Sequence, residues 1–304
     1  ARIKILVKAL TPEVFAKMVE EEWQHLKDSE TRLTQEEIAR VKGFFIEPAY
    51  DELADNPESF DQQKTSDKAF ANWVKRNTDQ HRKPGYSIVT LTLKKTGVPP
   101  GDASDKQLEM IADLADQFSF GEVRVTHDQN IVLADVRQDQ LFDLWQQAKK
   151  AGFATPNLGM LTDIICCPGG DFCGLANAKS IPVAEQIQVK FDNLDFLYDL
   201  GEIELNISGC MNACGHHHVG NIGILGVDKK GAEFYQVSLG GDSGRHASIG
   251  KILGPSFARD EMPTVIEQII QVFVENRHDD ELFIDTYNRI GITPFKERVY
   301  AKAD

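Results

Sequence analysis

Cys167 and Cys173 stand six positions apart in CCPGGDFCGLANAKS, and Cys210 and Cys214 stand four apart in ISGCMNACGHHHVGNIGILG. Four thiolates in two tight pairs are the usual complement of a 4Fe–4S cluster, because soft sulfur donors delocalise charge into iron and sulfide. The residues within and beside the pairs are small: Gly169, Gly170, Gly209, Ala213 and Gly215. Small residues let backbone N–H groups approach cluster sulfides, and such hydrogen bonds raise the reduction potential. Pro168 stiffens the first loop by fixing its own φ. The implied chemistry is electron transfer.

Other readings of the same residues stay open. Structural zinc takes Cys-x-x-Cys spacings as a rule, whereas here the intervals are five and three residues. A zinc-stabilised interaction domain is therefore one alternative, and a set of inert buried thiols is another. Cys166 adjoins Cys167, and one strand end cannot aim two successive side chains at one centre, so Cys166 reads as a spare buried thiol. His216, His217 and His218 cannot all ligate one ion, since adjacent extended residues point opposite ways. One of them could donate a proton or meet an anion. Arg124, His127, Gln129 and Asn130 lie where one strand runs into the next, as sheet-lining polar groups or as functional ones. The loop Gly240 to Arg245 carries amides and an arginine that could receive an anion.

The elements that position these residues are legible in part. Ile3, Ile5 and Val7 alternate with Arg2, Lys4 and Leu6, which predicts a short strand finishing an earlier domain. Thr11 and Pro12 then open a helix over 11–26 with Phe15, Met18, Val19 and Leu26 on one face. Residues 27–85 read as a polar connector with a short helix after Thr34, where Thr34 and Glu37 form a capping box, and another near Phe70–Val74. Over 86–153 the order is β-α-β-β-α. A strand contains Val89, Leu91 and Leu93. A helix opened by Ser104 and Gln107 buries Leu108, Ile111, Leu114, Ala115 and Phe118. Strands run from Val123 to Thr126 and from Ile131 to Val136, and a helix carrying Leu141, Leu144, Trp145 and Ala148 ends at Gly152. The fold class is α+β: a helix-covered antiparallel sheet followed, over 154–304, by the cysteine-bearing α/β domain. In that domain strands are expected at Asp163–Cys166 and Glu204–Ser208, helices at Gly174–Ser180, Val183–Phe191 and 263–275, and a hairpin from Asn221 to Leu239.

The chain has 304 residues, 41% hydrophobic and 26% charged, with a net charge of −14. That size fits two modules or one elaborated core. The negative charge argues against nucleic acid or an anionic membrane as partner. No apolar run reaches the roughly 20 residues of a membrane span, and the N-terminus lacks a signal-peptide layout. Five cysteines, four of them clustered, point to a metal site in a reducing, cytoplasmic compartment and not to a disulfide framework.

At the two cysteine pairs the sequence resembles the siroheme and 4Fe–4S family of assimilatory sulfite and nitrite reductases, whose signature is Cys-x5-Cys followed by Gly-Cys-x-Asn-x-Cys-Gly. Here those are Cys167 through Cys173 and Gly209 through Gly215. GEVRVTHDQNIVLADV is similar to the family's ferredoxin-like half-domain, and the likeness continues through GNIGILGVDKKGAEFYQVSLGG, so it spans most of 86–295. The resemblance implies that Cys167, Cys173, Cys210 and Cys214 hold the cube, that Cys214 also binds the siroheme iron, and that Asn212 shapes the cofactor contact. Siroheme carries many carboxylates, which makes Arg124, Gln129 and Arg245 candidate contacts. It implies six-electron reduction of sulfite to sulfide in sulfur assimilation, or of nitrite to ammonia, with electrons from a ferredoxin or a flavoprotein; a non-catalytic cluster-binding subunit is the further alternative. The chain resembles the second of two tandem copies, with Ala1–Val7 like the tail of the first. The basic residues that grip substrate are expected outside this chain, in an N-terminal half or a separate subunit.

Overall fold

Ile3, Leu6, Val7 and Leu10 recur at helical spacing, and the first described residues form a helix, not the expected strand. The alternation of Ile3, Ile5 and Val7 is too short to distinguish the two periods, and among the described residues no strand pairs with it. The computed structural model describes residues 3–244 and 246–301, in two units, Ala1–Asp51 and Glu52–Asp304. Arg245 therefore lies outside the described residues.

The first unit holds α1 (Ile3–Leu10), α2 (Pro12–Leu26) and α3 (Gln35–Lys42). Pro12 sits in the first turn of α2, but Thr11 makes no side-chain cap. Thr34 does cap α3, accepting from the Glu37 N–H at 3.2 Å. The Glu37 carboxylate is held by Arg40. The expected apolar face of α2 is real but open: Phe15, Met18, Val19 and Leu26 line a shallow groove together with Leu6 and Trp23.

The second unit begins with α4 (Glu58–Ser66), α5 (Lys68–Asn77), β1 (Thr78–Gln80), β2 (Tyr86–Leu91), α6 (Asp105–Phe118), β3 (Arg124–Val125), β4 (Ile131–Arg137) and α7 (Leu141–Ala151). The four strands form one antiparallel sheet in the order β1-β2-β4-β3, with Leu91 opposite Ile131 and Val89 opposite Leu133. The Ser104–Gln107 capping box of α6 is present, and Gly152 closes α7 in the left-handed conformation at φ 86°. Leu108 is exposed, contrary to expectation. It lies at the edge of the α6 stripe whose centre is Ile111, Leu114, Ala115 and Phe118, all buried. Phe70, Trp73, Leu133, Leu141 and Leu144 fill the core between sheet and helices. Full burial of each such side chain is worth about 1.5–3 kcal/mol.

The remainder comprises β5 (Ile165–Cys166), α8 (Gly169–Phe172), α9 (Ile181–Lys190), α10 (Leu194–Leu200), β6 (Leu205–Ser208), β7 (Ile222–Lys229), β8 (Ala232–Leu239), β9 (Lys251–Ile252), α11 (Met262–Asn276), α12 (Phe283–Ile290) and α13 (Thr293–Val299). Its mixed sheet runs β5-β6-β7-β8-β9, parallel across the first three strands and antiparallel across the last three. Ile207, Ile224 and Tyr235 meet Ile266, Ile269 and Phe273 of α11 in a second core. The helix expected over Gly174–Ser180 does not form: the Asn177 and Ala178 N–H groups both go to the Gly209 carbonyl, at 2.8 and 3.1 Å. Those bonds cross between loops and leave none for a helix.

Candidate cluster and cofactor site

The parallel pairing of β5 with β6 places Cys166 beside Ile207 and brings the C-terminal ends of both strands to one edge of the sheet. Each of those ends runs straight into a cysteine loop. In open α/β sheets this is where ligands bind. The Cys167 N–H extends the pairing by donating to the Ile207 carbonyl at 3.1 Å.

The two loops touch through sulfur. The Gly209 N–H donates to Cys167 Sγ at 3.1 Å, and Ser180 Oγ stands 3.5 Å from the same sulfur. The closeness depends on glycine. A Cβ at Gly209 would lie 2.8 Å from the Gly169 Cα, and one at Gly169 would lie 2.4 Å from the Ser180 nitrogen, with Gly169 itself at φ 57°. Cys167 and Cys210 are buried, Cys173 is half-buried and Cys214 is exposed. Apolar side chains beside them face solvent: Phe172, Leu175 and Met211. Among the described residues, no three His, Cys, Asp or Glu side chains gather as a single metal ion requires. Four donors on one zinc must meet at about 2.0–2.3 Å, whereas a cube takes each thiolate on a different iron. Soft donors on paired glycine loops, with an N–H already aimed at a thiol sulfur, fit an iron–sulfur cluster.

Cys166 turns away from this edge. Its side chain is buried and donates to the Cys167 carbonyl at 3.2 Å. Burial pushes its thiol far above the ordinary range, with the neighbouring Cys167 adding to the effect, so it stays protonated.

The half-domain sheet holds β5 in place. Gln129, in the turn between β3 and β4, donates through Nε2 to the Cys166 carbonyl at 2.7 Å and accepts the Cys166 N–H at 2.8 Å. Both ends of its amide are thus engaged with the residue before the first cluster cysteine. Lys94 is fully buried, and its ammonium donates to the carbonyls of Asp128 and Ile164, at 2.8 and 2.9 Å, and to Asp163 Oδ1 at 3.3 Å. Asn130 donates to the same Asp163 oxygen at 3.1 Å. Lys94 alternates with Leu93 in sequence and carries no local sign of a buried role; β2 ends at Leu91, and the following segment turns the lysine inward.

Arg124 is exposed and paired with Glu122. Asn212 lies half-buried in the turn between Cys210 and Cys214. A cavity of about 570 Å³ opens beside the second cysteine loop, lined among others by Arg76, Thr126, His127, Asn206, His216 and Ser243. Neither Arg124 nor Gln129 lines it, and it carries several carboxylates, including Asp128, Asp163, Glu204 and Asp242. Arg76, on α5, was not anticipated because it sits far from the cysteines in sequence. His216 and His218 are exposed and His217 is buried, but the segment is a turn and not extended backbone: His216 has φ 53° and the centroids of the His217 and His218 rings lie 4.0 Å apart.

Glu204 is the perturbed acid of this cavity. Loss of hydration raises its pKa above the ordinary 4.5, and Asp128, Asp242 and Glu202 raise it further, while the Ser243 hydroxyl, donating to it at 3.1 Å, acts the other way. Between 4.5 and the raised value the folded chain holds a proton that the unfolded chain has lost, so stability falls as pH rises through that window. Glu204→Gln is therefore expected to raise the urea midpoint at pH 7 and to leave it unchanged well below pH 4.5. An equal shift at both pH values would contradict this origin.

Comparison with known proteins identifies the two domains. Residues 160–304 match the nitrite and sulphite reductase 4Fe-4S domain, and residues 81–151 match the nitrite/sulfite reductase ferredoxin-like half domain. The chain is 26% identical over 210 residues to a ferredoxin–nitrite reductase of Synechococcus elongatus, covering 66% of this chain and 39% of that protein. It is 29% identical over 203 residues to sulfite reductase [ferredoxin] 2 of Mycolicibacterium paratuberculosis, covering 63% and 36%. It is 25% identical over 232 residues to the chloroplastic ferredoxin–nitrite reductase of Spinacia oleracea, covering 71% and 37%. The chain thus spans less than two-fifths of the length of these relatives. In fold it is similar to the Mycobacterium tuberculosis NirA protein, with a TM-score of 0.63 and 22% identity over 97% of this chain and 49% of that one. It is also similar to dissimilatory sulfite reductase I, with a TM-score of 0.56 and 16% identity over 72% of this chain and 70% of that one. No helix among the described residues is long and apolar enough to cross a membrane.

Proposed function

Because this chain belongs to the nitrite and sulfite reductase family, we propose that it carries the cluster and siroheme site of a sulfite reductase performing the six-electron reduction of sulfite to sulfide. The observation that supports this most directly is the Gly209 N–H donated to Cys167 Sγ, which joins the two cysteine loops at the ends of β5 and β6. Cys167, Cys173, Cys210 and Cys214 would hold the cube, and Cys214, the exposed member, would be shared with the siroheme iron. When bound, the cluster supplies single electrons and the siroheme iron supplies the site for a small oxyanion.

The chain's own residues prepare that site. Gln129 and Lys94 fix the strand that delivers Cys167. The Gly209 N–H is aimed at the Cys167 sulfur, and such a bond would raise the potential of a cluster held there. The cavity beside the second loop offers Arg76 and His127 to carboxylates. Asn212, Arg124, Gln129 and Arg245 remain the sequence-derived candidates for cofactor contact. Of these, Gln129 already spends its amide on Cys166, and an Arg124 contact requires it to leave Glu122.

Nitrite reduction to ammonia is the second reading, favoured by the relatives named as nitrite reductases. Both named groups use ferredoxin, which makes a ferredoxin the proposed donor. Substrate-gripping basic residues are proposed to come from a preceding half-domain or a partner subunit. The test is anaerobic loading of the chain with iron, sulfide and siroheme, followed by titration with sulfite and with nitrite, read by siroheme absorbance. Sulfite-dependent shifts at lower concentration than nitrite support the first reading, and the reverse order supports the second. A chain that binds cluster but no siroheme contradicts both and identifies a cluster-binding module.

A further inference from the structure

We propose that Ser208 and Asn206 are positioning residues for Cys214, acting through the Gly215 N–H and the His216 carbonyl of the turn that follows it. This rests on the reading of Cys214 as the shared sulfur. Residues 206 and 208 project from the same face of β6, because side chains alternate along a strand. Both are buried, at 2% and 1% exposure. Ser208 Oγ accepts the Gly215 N–H at 3.1 Å, and Asn206 Nδ2 donates to the His216 carbonyl at 3.2 Å. The turn they hold lies flat on the strand: a Cβ at Gly215 would lie 2.0 Å from the Ile207 carbonyl oxygen.

The turn needs that support. Ala213, immediately before Cys214, has φ 57°, and His216, two residues after it, has φ 53°. Left-handed backbone is unfavourable for residues with a Cβ and persists only where surrounding bonds fix it. Within the turn the His216 N–H bonds the Ala213 carbonyl at 2.9 Å. The His216 carbonyl accepts the Val219 N–H at 3.1 Å, and side chains of β6 hold the Gly215 N–H and that same carbonyl. The amide of Asn206 has one workable orientation, since a flipped amide would set its oxygen against the His216 carbonyl. Among the described residues its own Oδ1 has no hydrogen-bond partner, and the residue lines the adjoining cavity. A buried serine and a buried asparagine, two residues apart, thereby set the direction in which the Cys214 side chain leaves the backbone.

The test compares the wild-type chain with Ser208→Ala and Ser208→Thr. In the cofactor-free chain, Ser208→Ala is expected to speed hydrogen exchange at the Gly215 amide about three- to tenfold, the worth of one hydrogen bond, and Ser208→Thr is expected to restore protection. In the chain loaded with iron, sulfide and siroheme, the alanine variant is expected to keep the wild-type iron content but to show an altered cluster–siroheme coupling signature by Mössbauer spectroscopy, recovered by threonine. If alanine prevents folding, Asn206→Asp, which keeps the shape and removes the donor to His216, is read by the coupling signature alone, and an unaltered signature there overturns the proposal. Wild-type exchange at Gly215 together with wild-type coupling in the variant overturns the proposal. So does altered coupling with Gly215 exchange unchanged. A wild-type chain that binds cluster and siroheme without coupling overturns the reading of Cys214 itself, which separates that failure from this one.

Discussion

Cys214→Ser is expected to abolish electronic coupling between the cluster and the siroheme iron in the loaded chain. Coupling through one atom depends on a soft, polarizable sulfur that binds iron on both sides, and a serine oxygen is a harder, poorer bridge. Cys214 is the exposed thiol of the four, so it is the one able to face a second group beyond the cube. The contrast is Cys166→Ser. Cys166 is buried, stays protonated and bonds the Cys167 carbonyl, so its replacement should leave coupling intact. Mössbauer spectra of the two variants check both statements. Unchanged coupling in Cys214→Ser, or lost coupling in Cys166→Ser, would remove Cys214 from the bridging position.

Lys94→Met is expected to destabilise the chain by about 3–5 kcal/mol, the usual cost of removing one partner from a buried ion pair. The magnitude follows from what is left behind. Asp163, mostly buried, loses its cation, and the carbonyls of Asp128 and Ile164 lose a charged donor. Asp163 keeps the Asn130 amide and the Gly159 N–H, at 3.1 and 3.0 Å, which blunts the loss without cancelling it. Because Ile164 leads directly into β5 and Cys167, the variant should also take up less iron than the wild type. The double variant Lys94→Met/Asp163→Asn should recover part of the stability, since it removes the stranded charge. Urea denaturation of the three proteins measures this. A loss below about 1 kcal/mol for Lys94→Met would show that the buried pair is not what anchors β5.

Much of the fold could be read from local pattern. The capping residues Ser104 and Gln107, the left-handed stop at Gly152 and the apolar stripe of α11 are local signals, and each element stands where they place it. The failures share a cause. Ile3–Val7 has too few residues to separate a period of two from 3.6, and the helix won. Gly174–Ser180 is shaped by bonds to Gly209, some thirty residues away, which no local propensity encodes. Leu108 sits at the stripe's margin, where burial depends on the neighbouring element.

The site divides in the same way. The cysteines stand out as candidates in the sequence because thiols at tight spacing with glycine have few other uses. Their supports were not. Lys94, Asn206 and Ser208 are ordinary polar residues in strand-like segments, and their importance comes from burial and from the loops that fold onto them. Gln129 was visible as a candidate, but its partner is the backbone of Cys166, because the turn between β3 and β4 lands against β5. Arg76 enters the cavity only through the path of α5.

Iron and acid-labile sulfide content of the anaerobically reconstituted chain, read with its low-temperature Mössbauer spectrum, tests most directly whether the two cysteine loops close around one cube. The expected result is about four irons and four sulfides per chain in a single cluster environment, lost when Cys167 or Cys210 is replaced. A chain that takes up no iron, or that binds one zinc and stays colourless, would contradict it.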